Sequence, residues 1–170
     1  MTASLDLHGR DVLARDGFLG FSTVKRLRLT RCAEVPAQQG VYVVLRRGFV
    51  APRFLERGSG GVFKGKDPNV AVSVLQLAWV PTAIVLYIGK AGGGKLKAHL
   101  KERIDSLVQF GSGASAAHWG GRYLWQLSDA EDLVVCWKPT PGSDPRLVEK
   151  AMISDFEVTY GRRPYANRIG

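Results

Sequence analysis

Four side chains, scattered along the chain, are of types that together can cut a phosphodiester bond. They are two tyrosines, an arginine and a glutamate: Tyr42, Tyr87, Arg103 and Glu149. A carboxylate can bind Mg²⁺, a phenol can take a proton from water, and a guanidinium can stabilise charge on a phosphate. Such a set works only if the fold brings its members together, so the interpretation depends on the elements that carry them.

Both tyrosines fall in runs of β-branched and aromatic residues that predict strands. The runs cover residues 40–45 and 83–88. Because successive side chains in a strand point to opposite faces, Tyr42 and Tyr87 can lie on one face of two neighbouring strands. Two ordinary core tyrosines would give the same pattern.

The arginine lies on the apolar side of a predicted helix, residues 95–110. Arg103 falls three residues after Leu100 and four before Leu107, so its side chain projects along the apolar stripe. The full stripe comprises Leu96, Leu100, Ile104, Leu107 and Val108. A charge that faces a core is costly unless it is paired or bound.

The glutamate has the same unusual placement on the last predicted helix, residues 145–160. Glu149 lies three and four residues before Met152 and Ile153, which face the core with Phe156 and Tyr160. Two explanations are open. Arg103 and Glu149 could form a structural salt bridge, or both could reach a cleft at the sheet edge where Glu149 holds a cation and Arg103 a phosphate.

The remaining pattern predicts one domain, residues 1–170, of the α/β class (α+β type). A third strand at residues 133–137 completes a small three-stranded antiparallel sheet with helices packed on it. The last helix is bounded by Asp144 as N-cap and by Gly161 just past its end. Residues 1–38, with a weak helical pattern, form an N-terminal extension.

The net charge of +9 favours an anionic partner. Lys and Arg side chains that neutralise phosphates supply most non-specific affinity for nucleic acid, although a merely soluble basic protein would have the same charge. No run of about 18 apolar residues predicts a membrane span, and the first ten residues do not resemble a signal peptide. Cys32 and Cys136 lie outside any metal-ligand spacing, which predicts reduced thiols in a cytoplasmic protein.

The segments around these side chains resemble the signatures of the GIY-YIG nuclease family. The first signature stands here as Gly40-Val41-Tyr42, and the second as Tyr87-Ile88-Gly89, followed by Lys90. The family's arginine matches Arg103, its glutamate matches Glu149, and its terminal Pro-x-x-Asn matches residues 164–167. The motifs come in the family's order, and together they cover residues 40–167.

The resemblance implies an endonuclease that hydrolyses DNA with one Mg²⁺ (or Mn²⁺) ion held by the glutamate. RNA is not excluded as a substrate. The implied catalytic residues are Tyr42 as general base, Tyr87 and Arg103 at the scissile phosphate, Lys90 beside them, and Glu149 as metal ligand. Gly40, Gly89 and Asn167 are implied to support the site.

Some family members also carry a histidine between the arginine and the glutamate. His118 is the candidate by position and joins the predicted catalytic set. A surface histidine beside a glycine turn is the alternative interpretation.

Two departures from the family pattern concern spacing. The signatures usually sit on a tight hairpin, but here residues 46–82 intervene and are predicted to form a long insertion, a flap that contacts DNA. Its basic residues include Arg46, Arg47, Arg53, Arg57, Lys64 and Lys66, and Arg122 is a further predicted DNA contact. The second departure is the extra run Gly92-Gly93-Gly94-Lys95, which could shift the register of Arg103.

Two other functions fit parts of the sequence. Residues 89–95 match the G-x-x-x-x-G-K spacing of a phosphate-binding loop, but Leu96 stands where Ser or Thr should bind Mg²⁺, which disfavours an ATPase or kinase. The serious alternative is a non-catalytic nucleic-acid-binding module on the same fold.

Overall fold

A computed structural model describes residues 9–95 and 97–168. The described elements, in chain order, are α1 Arg10–Arg15, β1 Leu19–Thr23, α2 Val24–Leu29, β2 Gly40–Leu45, α3 Val72–Ala78, β3 Val85–Ala91, α4 Leu100–Gly111, β4 Val134–Pro139 and α5 Pro145–Tyr160. Two 3₁₀ helices, Trp119–Gln126 and Ala130–Asp132, precede β4. The predicted mixture of helices and an antiparallel sheet is confirmed.

The sheet has four strands in the order β1-β4-β2-β3, and every neighbouring pair is antiparallel. The two signature strands, β2 and β3, pair directly despite the insertion between them. The expectation of three strands was wrong. Strand β1 pairs with β4, and β1 lies in the segment that was predicted to be an extension with a weak helical pattern.

The unpredicted strand, β1, lacks the alternation of apolar and polar residues by which a strand is recognised in a sequence. Gly20 and Phe21 both have positive φ, and the register with β4 shifts between Leu19 and Ser22. A short, bulged edge strand of this kind carries no regular pattern of apolar residues. Only its pairing with β4 identifies it.

Helices cover both faces of the sheet. On one face, α2 and α4 pack with the segment around Trp125 into a large buried cluster that contains the two signature tyrosines. On the other face, α1 and α5 contribute Leu13, Ile153 and Phe156 to a second cluster. As predicted, α5 begins after the N-cap Asp144 and ends at Gly161, which adopts the left-handed conformation.

Helix α4 begins later than its apolar stripe predicts. It starts at Leu100, with His99 as N-cap, and Lys95 lies in the preceding loop. Leu96, the first residue of the predicted stripe, lies outside the described residues. The backbone N–H of Leu100 donates to the carbonyl of Gln38 at 2.8 Å, which fixes the first turn against the segment before β2.

The insertion, residues 46–82, packs against the rest of the domain, and its predicted contact with DNA stays a prediction. It contains α3, and Phe54 forms an isolated β-bridge with Leu127. The buried amide of Gln126 donates to the carbonyls of Leu55 and Val70 at 3.0 and 2.9 Å. Its oxygen accepts from the N–H of Val70 at 2.9 Å. Such long-range fastening is not visible in the local sequence of the insertion.

None of the helices in the described ranges is long and apolar enough to cross a membrane.

Candidate active site

The two signature tyrosines lie on one face of the paired strands β2 and β3. Tyr42 stands opposite Gly89, and Tyr87 stands opposite Val44. The ring centroids are 6.1 Å apart, with 48° between the planes. This is the arrangement that the strand alternation predicted. The two side chains differ in solvent exposure, since Tyr42 is 0% exposed and Tyr87 is 8% exposed.

The signature glycines create the space that the tyrosines and strands need. A Cβ atom at Gly89 would lie 2.4 Å from Cζ of Tyr42, so any side chain there would displace the phenol. A Cβ atom at Gly40 would lie 2.3 Å from the carbonyl oxygen of Lys138 on β4. Neither position therefore has room for a side chain, and the site-supporting role of the two glycines stays a prediction.

His118 joins the tyrosines from the start of the 3₁₀ helix Trp119–Gln126. Its Nε2 atom lies 2.7 Å from the hydroxyl oxygen of Tyr42, and its ring centroid lies 5.7 Å from that of Tyr87. The side chain is only 1% exposed, so the alternative interpretation as a surface histidine was wrong. Within the described residues its Nδ1 atom has no hydrogen-bond partner.

Burial controls the protonation of all three rings. Burial, together with a smaller effect of the positive charge of Arg103, lowers the pKa of His118 from 6.5 to about 3. Burial also raises the pKa of Tyr42 and of Tyr87, while the charge of Arg103 opposes both shifts. At neutral pH the imidazole is therefore uncharged, and both phenols keep their protons.

Glu149 reaches the edge of β3 from α5. One of its oxygens, Oε2, lies 3.7 Å from Nζ of Lys90, which follows the second signature on β3. Burial raises the pKa of Glu149, and the charge of Lys90 partly offsets that rise. Within the described residues, the ion-pair partner of Lys90 is therefore Glu149.

A cleft of about 470 Å³ lies at this edge of the sheet. It is lined by Tyr87, Gly120, Glu149, Lys150, Ile153, Ser154, Glu157, Arg163, Asn167 and Arg168. A side chain from each face of the sheet, Tyr87 and Glu149, therefore borders the same cleft. Tyr42 and His118 lie behind Tyr87 in the core.

Arg103, in the first turns of α4, approaches the same centre. Its Nη1 atom donates to the carbonyl of Ala117 at 3.2 Å, next to His118. Its charge lowers the pKa of both tyrosines, of His118 and of Glu149. The alternative of an Arg103–Glu149 salt bridge was wrong for the described residues, in which Glu149 pairs with Lys90. The glycine run before α4 does not carry Arg103 away from the site.

Asn167 stabilises the edge strand. Its side-chain oxygen accepts from the N–H of Ile88, and its amide nitrogen donates to the carbonyl of Ile88, both at 2.8 Å. The N–H of Ala166 donates to the carbonyl of Leu86, also at 2.8 Å. The tail therefore pairs with the free edge of β3 beside the cleft, which agrees with a supporting role for Asn167.

The predicted DNA contacts have different surroundings. Arg46 is buried, pairs with Asp129 at 3.0 Å and lies over the Trp79 ring, so its contacts are those of a structural residue. Arg47, Lys64 and Lys66 are exposed, and Arg122 is half-buried over the Trp119 ring. The binding of DNA by these residues stays a prediction.

Sequence reasoning missed several residues that line the cleft. Arg163 and Arg168 flank the Pro-x-x-Asn motif, and Glu157 lies eight residues after Glu149 on the same helix. The motif's position could have indicated the two arginines, and the helical period could have indicated the second glutamate.

The donor set fits a divalent cation held by one carboxylate. Mg²⁺ commonly binds one or two carboxylates and completes its shell with water and substrate phosphate oxygens. Of the two carboxylates in the cleft, Glu149 is the one whose charge raises the pKa of Tyr42 and Tyr87. Glu157 instead lies two helical turns away and pairs with Arg163 at 3.9 Å. The described residues contain no group of three or more His, Cys, Asp or Glu side chains that could hold a metal ion.

Comparison of the chain with models of protein families, with curated proteins and with solved structures found no significant match. The likeness to GIY-YIG nucleases therefore stays a resemblance of motifs.

Proposed function

We propose that this protein is a metal-dependent endonuclease that hydrolyses phosphodiester bonds in DNA. The observation that carries the proposal is the cleft at the edge of β3, where Tyr87 and Glu149 line one space and the Tyr42–His118 pair lies directly behind it. A carboxylate, two phenols, a proton acceptor and nearby cations form a set of groups that can carry out phosphodiester hydrolysis.

The Tyr42–His118 pair supplies a path for a proton. A protonated phenol can accept a proton from water only if it can pass its own proton on. Nε2 of the uncharged His118 is 2.7 Å from the Tyr42 oxygen and is placed to receive it, at the cost of forming an imidazolium that burial disfavours. In the proposed reaction the water oxygen attacks phosphorus, and its proton is relayed through the hydroxyl of Tyr87, which lines the cleft, to Tyr42. The phenol proton of Tyr42 moves to His118. The bond from phosphorus to the leaving oxygen breaks, and that oxygen takes a proton from solvent.

The other residues hold the substrate in this proposal. Tyr87 lines the cleft and contacts the scissile phosphate, while Arg103 adds positive charge beside it. Glu149 would hold the Mg²⁺ (or Mn²⁺) ion, with Lys90 as its counter-charge when no metal is bound. The ion would neutralise charge on the phosphate oxygens.

A non-catalytic nucleic-acid-binding module is the second candidate. The net charge of +9 supports it, and so does the ion pair between Lys90 and Glu149, which can hold the glutamate without a metal. Such a module would bind nucleic acid with a steep salt dependence and release no products.

One panel of reactions separates the two functions. Purified protein is incubated with supercoiled plasmid, single-stranded DNA and RNA, in Mg²⁺, in Mn²⁺ and in EDTA. We expect the wild type to cut DNA only with a metal, and Glu149→Gln to lose about 10²-fold or more of that rate. Asp155→Asn is the matched control, because it removes a carboxylate from an exposed position of the same helix that does not line the cleft, and it should keep cutting.

The nuclease proposal fails if the wild type binds DNA but releases no product under any of these conditions. It also fails if Glu149→Gln cuts as fast as the wild type, since the activity would then come from another site or a contaminant.

A further inference from the structure

Two guanidinium groups share one aromatic ring at the rim of the cleft. The Cζ atoms of Arg122 and Arg168 each lie 5.2 Å from the centroid of the Tyr123 ring. Arg122 also lies over the Trp119 ring at 4.7 Å, and its Nη1 atom donates to the Trp119 carbonyl at 3.3 Å. The two guanidinium groups therefore lie at most twice that ring distance apart, and Arg122 is also fixed by its contacts with Trp119.

Neither cation has a carboxylate partner in the described part of the chain. Other arginines do: Arg28 pairs with Glu131, Arg46 with Asp129, Arg146 with Asp144, and Arg163 with Glu157. Burial lowers the pKa of Arg122, and the charge of Arg168 lowers it further. The repulsion between two neighbouring positive charges without a counter-ion is reduced when an anion binds between or beside them.

This pair is continuous with the candidate active site. Arg168 lines the cleft together with Tyr87 and Glu149. Arg122 comes two residues after Gly120, where a Cβ atom would lie 3.4 Å from the Tyr87 hydroxyl. An anion on the two arginines would therefore be a neighbour of any phosphate that contacts Tyr87.

We propose that Arg122 and Arg168 form a second phosphate-binding subsite, which holds a phosphodiester adjacent to the scissile one on the same nucleic-acid strand. The planar guanidinium matches the oxygens of a phosphate with two parallel hydrogen bonds, and stacking on aromatic rings reduces the freedom that binding must remove. The naming of the anion as part of a nucleic-acid strand rests on the proposed function.

The test measures binding without cleavage. Anisotropy of a fluorescently labelled DNA oligonucleotide is titrated in EDTA, over a range of NaCl concentrations, with the wild type, Arg168→Gln and Arg122→Gln. Each variant should bind about tenfold more weakly. The slope of log K against log salt should fall by about 0.7 for a single strand, the loss of one phosphate contact.

Two further variants separate a site from general charge. Arg15→Gln removes an exposed cation from α1, which lies beside β1 at the opposite edge of the sheet, and should leave the slope unchanged. Arg168→Lys keeps the charge but loses the planar fork, so it should keep the slope and lose part of the affinity. Thermal melting of each variant checks folding, and the exposed Arg168 should not affect it.

The subsite is overturned if Arg168→Gln and Arg122→Gln bind like the wild type, or if Arg15→Gln weakens binding as much as they do. Its fate is separable from that of the nuclease. Cleavage by the wild type together with unchanged binding by both variants removes the subsite and keeps the nuclease. Selective loss of binding without any cleavage keeps the subsite and removes the nuclease, and no binding by the wild type removes both.

Discussion

The hydroxyl oxygen of Tyr42 lies 2.7 Å from Nε2 of His118, and both side chains are enclosed in the core. The two residues come from a central strand and from the start of a 3₁₀ helix. In the described structure this contact is the only hydrogen bond of the imidazole ring, because Nδ1 has no partner. The core thus contains a polar pair that burial keeps uncharged, at the back of a cleft that carries a carboxylate.

The first prediction concerns the acid stability that His118 controls. Its pKa in the folded protein, about 3, is far below the 6.5 of the unfolded chain, so the unfolded state binds the proton more readily. Stability is therefore lost as the pH falls below about 6.5, by about 1.4 kcal/mol per pH unit until the folded pKa is approached. The loss is absent from a variant without the imidazole.

Urea denaturation of the wild type and His118→Gln at pH 7, 6 and 5 measures this effect. The difference in free energy of unfolding between them should shrink as the pH falls, because only the wild type loses stability through this group. A difference that stays constant across these values would show that the histidine is not buried uncharged.

The second prediction separates the roles of the two tyrosines. Tyr42→Phe removes the partner of a buried imidazole and should cost about 1–2 kcal/mol of stability as well as activity. Tyr87→Phe removes a hydroxyl group that borders the cleft, where water can take over part of its hydrogen bonding, so it should lower cleavage at a smaller cost in stability than Tyr42→Phe. Chemical denaturation and initial cleavage rates, measured on the same samples, give both quantities. Equal destabilisation by the two substitutions would contradict this division.

Much of the site could be predicted from local sequence patterns. The period of a strand placed Tyr42 and Tyr87 on one face, and the period of a helix placed Glu149 toward the sheet. These inferences hold because side-chain direction follows from backbone geometry alone. The order of the motifs also predicted that Asn167 belongs to the site, and its side chain forms two hydrogen bonds with the backbone of Ile88.

The features that escaped prediction depend on contacts between distant segments. Whether His118 is a surface or a core residue depends on the sheet, whose Tyr42 lies 76 positions away in sequence. The same is true of β1, which is a strand because β4 lies beside it. The docking of the insertion depends on Gln126, which lies far along the chain. Arg46, predicted to contact DNA, is instead buried against Asp129 and the Trp79 ring.

The third prediction is that the proposed metal ligand is costly to the folded protein. Burial raises the pKa of Glu149, so the folded state prefers the protonated carboxyl. Its favourable contribution is present at low pH and is lost as the pH rises through the folded pKa. Glu149→Gln should therefore unfold at the same or a higher temperature than the wild type at pH 7, although it loses activity.

Thermal melting at pH 5 and pH 7, without added metal, checks the sign. The advantage of Glu149→Gln over the wild type should be larger at pH 7. A variant that melts well below the wild type at neutral pH would mean that the ion pair with Lys90 outweighs the cost of burying the carboxylate.

The fourth prediction concerns the edge of β3. Asn167→Ala leaves the N–H and the C=O of Ile88 without partners in a buried position and should cost about 3 kcal/mol. Asn167→Asp places an ionised carboxylate against the carbonyl of Ile88, so at pH 7 it should be at least as destabilising as the alanine variant, and it should recover as the pH falls and the carboxyl is protonated. Urea denaturation gives the energies, and hydrogen exchange at the Ile88 amide localises the change. Unchanged exchange at Ile88 in the alanine variant would rule out this role.

The fifth prediction tests whether the insertion is docked. The amide of Gln126 joins two parts of the insertion through Leu55 and Val70, and the side chain is only 1% exposed. Gln126→Ala removes these bonds and leaves buried backbone groups unpaired, so local opening of the insertion should become easier by about 2–3 kcal/mol. Trypsin should then cut at the basic residues of the insertion about 30–100 times faster than in the wild type, because cleavage follows the population of the open state.

Gln76→Ala is the matched control, because Gln76 is an exposed glutamine on α3 within the same insertion. It should be cut at the wild-type rate, with fragments identified by mass spectrometry. Rapid cutting of the wild type at these sites would show that the insertion is not docked on the domain. Resistance of the wild type and sensitivity of Gln126→Ala would instead show that a single buried amide holds the long insertion against the domain. Lys64 and Lys66 would then be presented from an exposed turn of this docked segment.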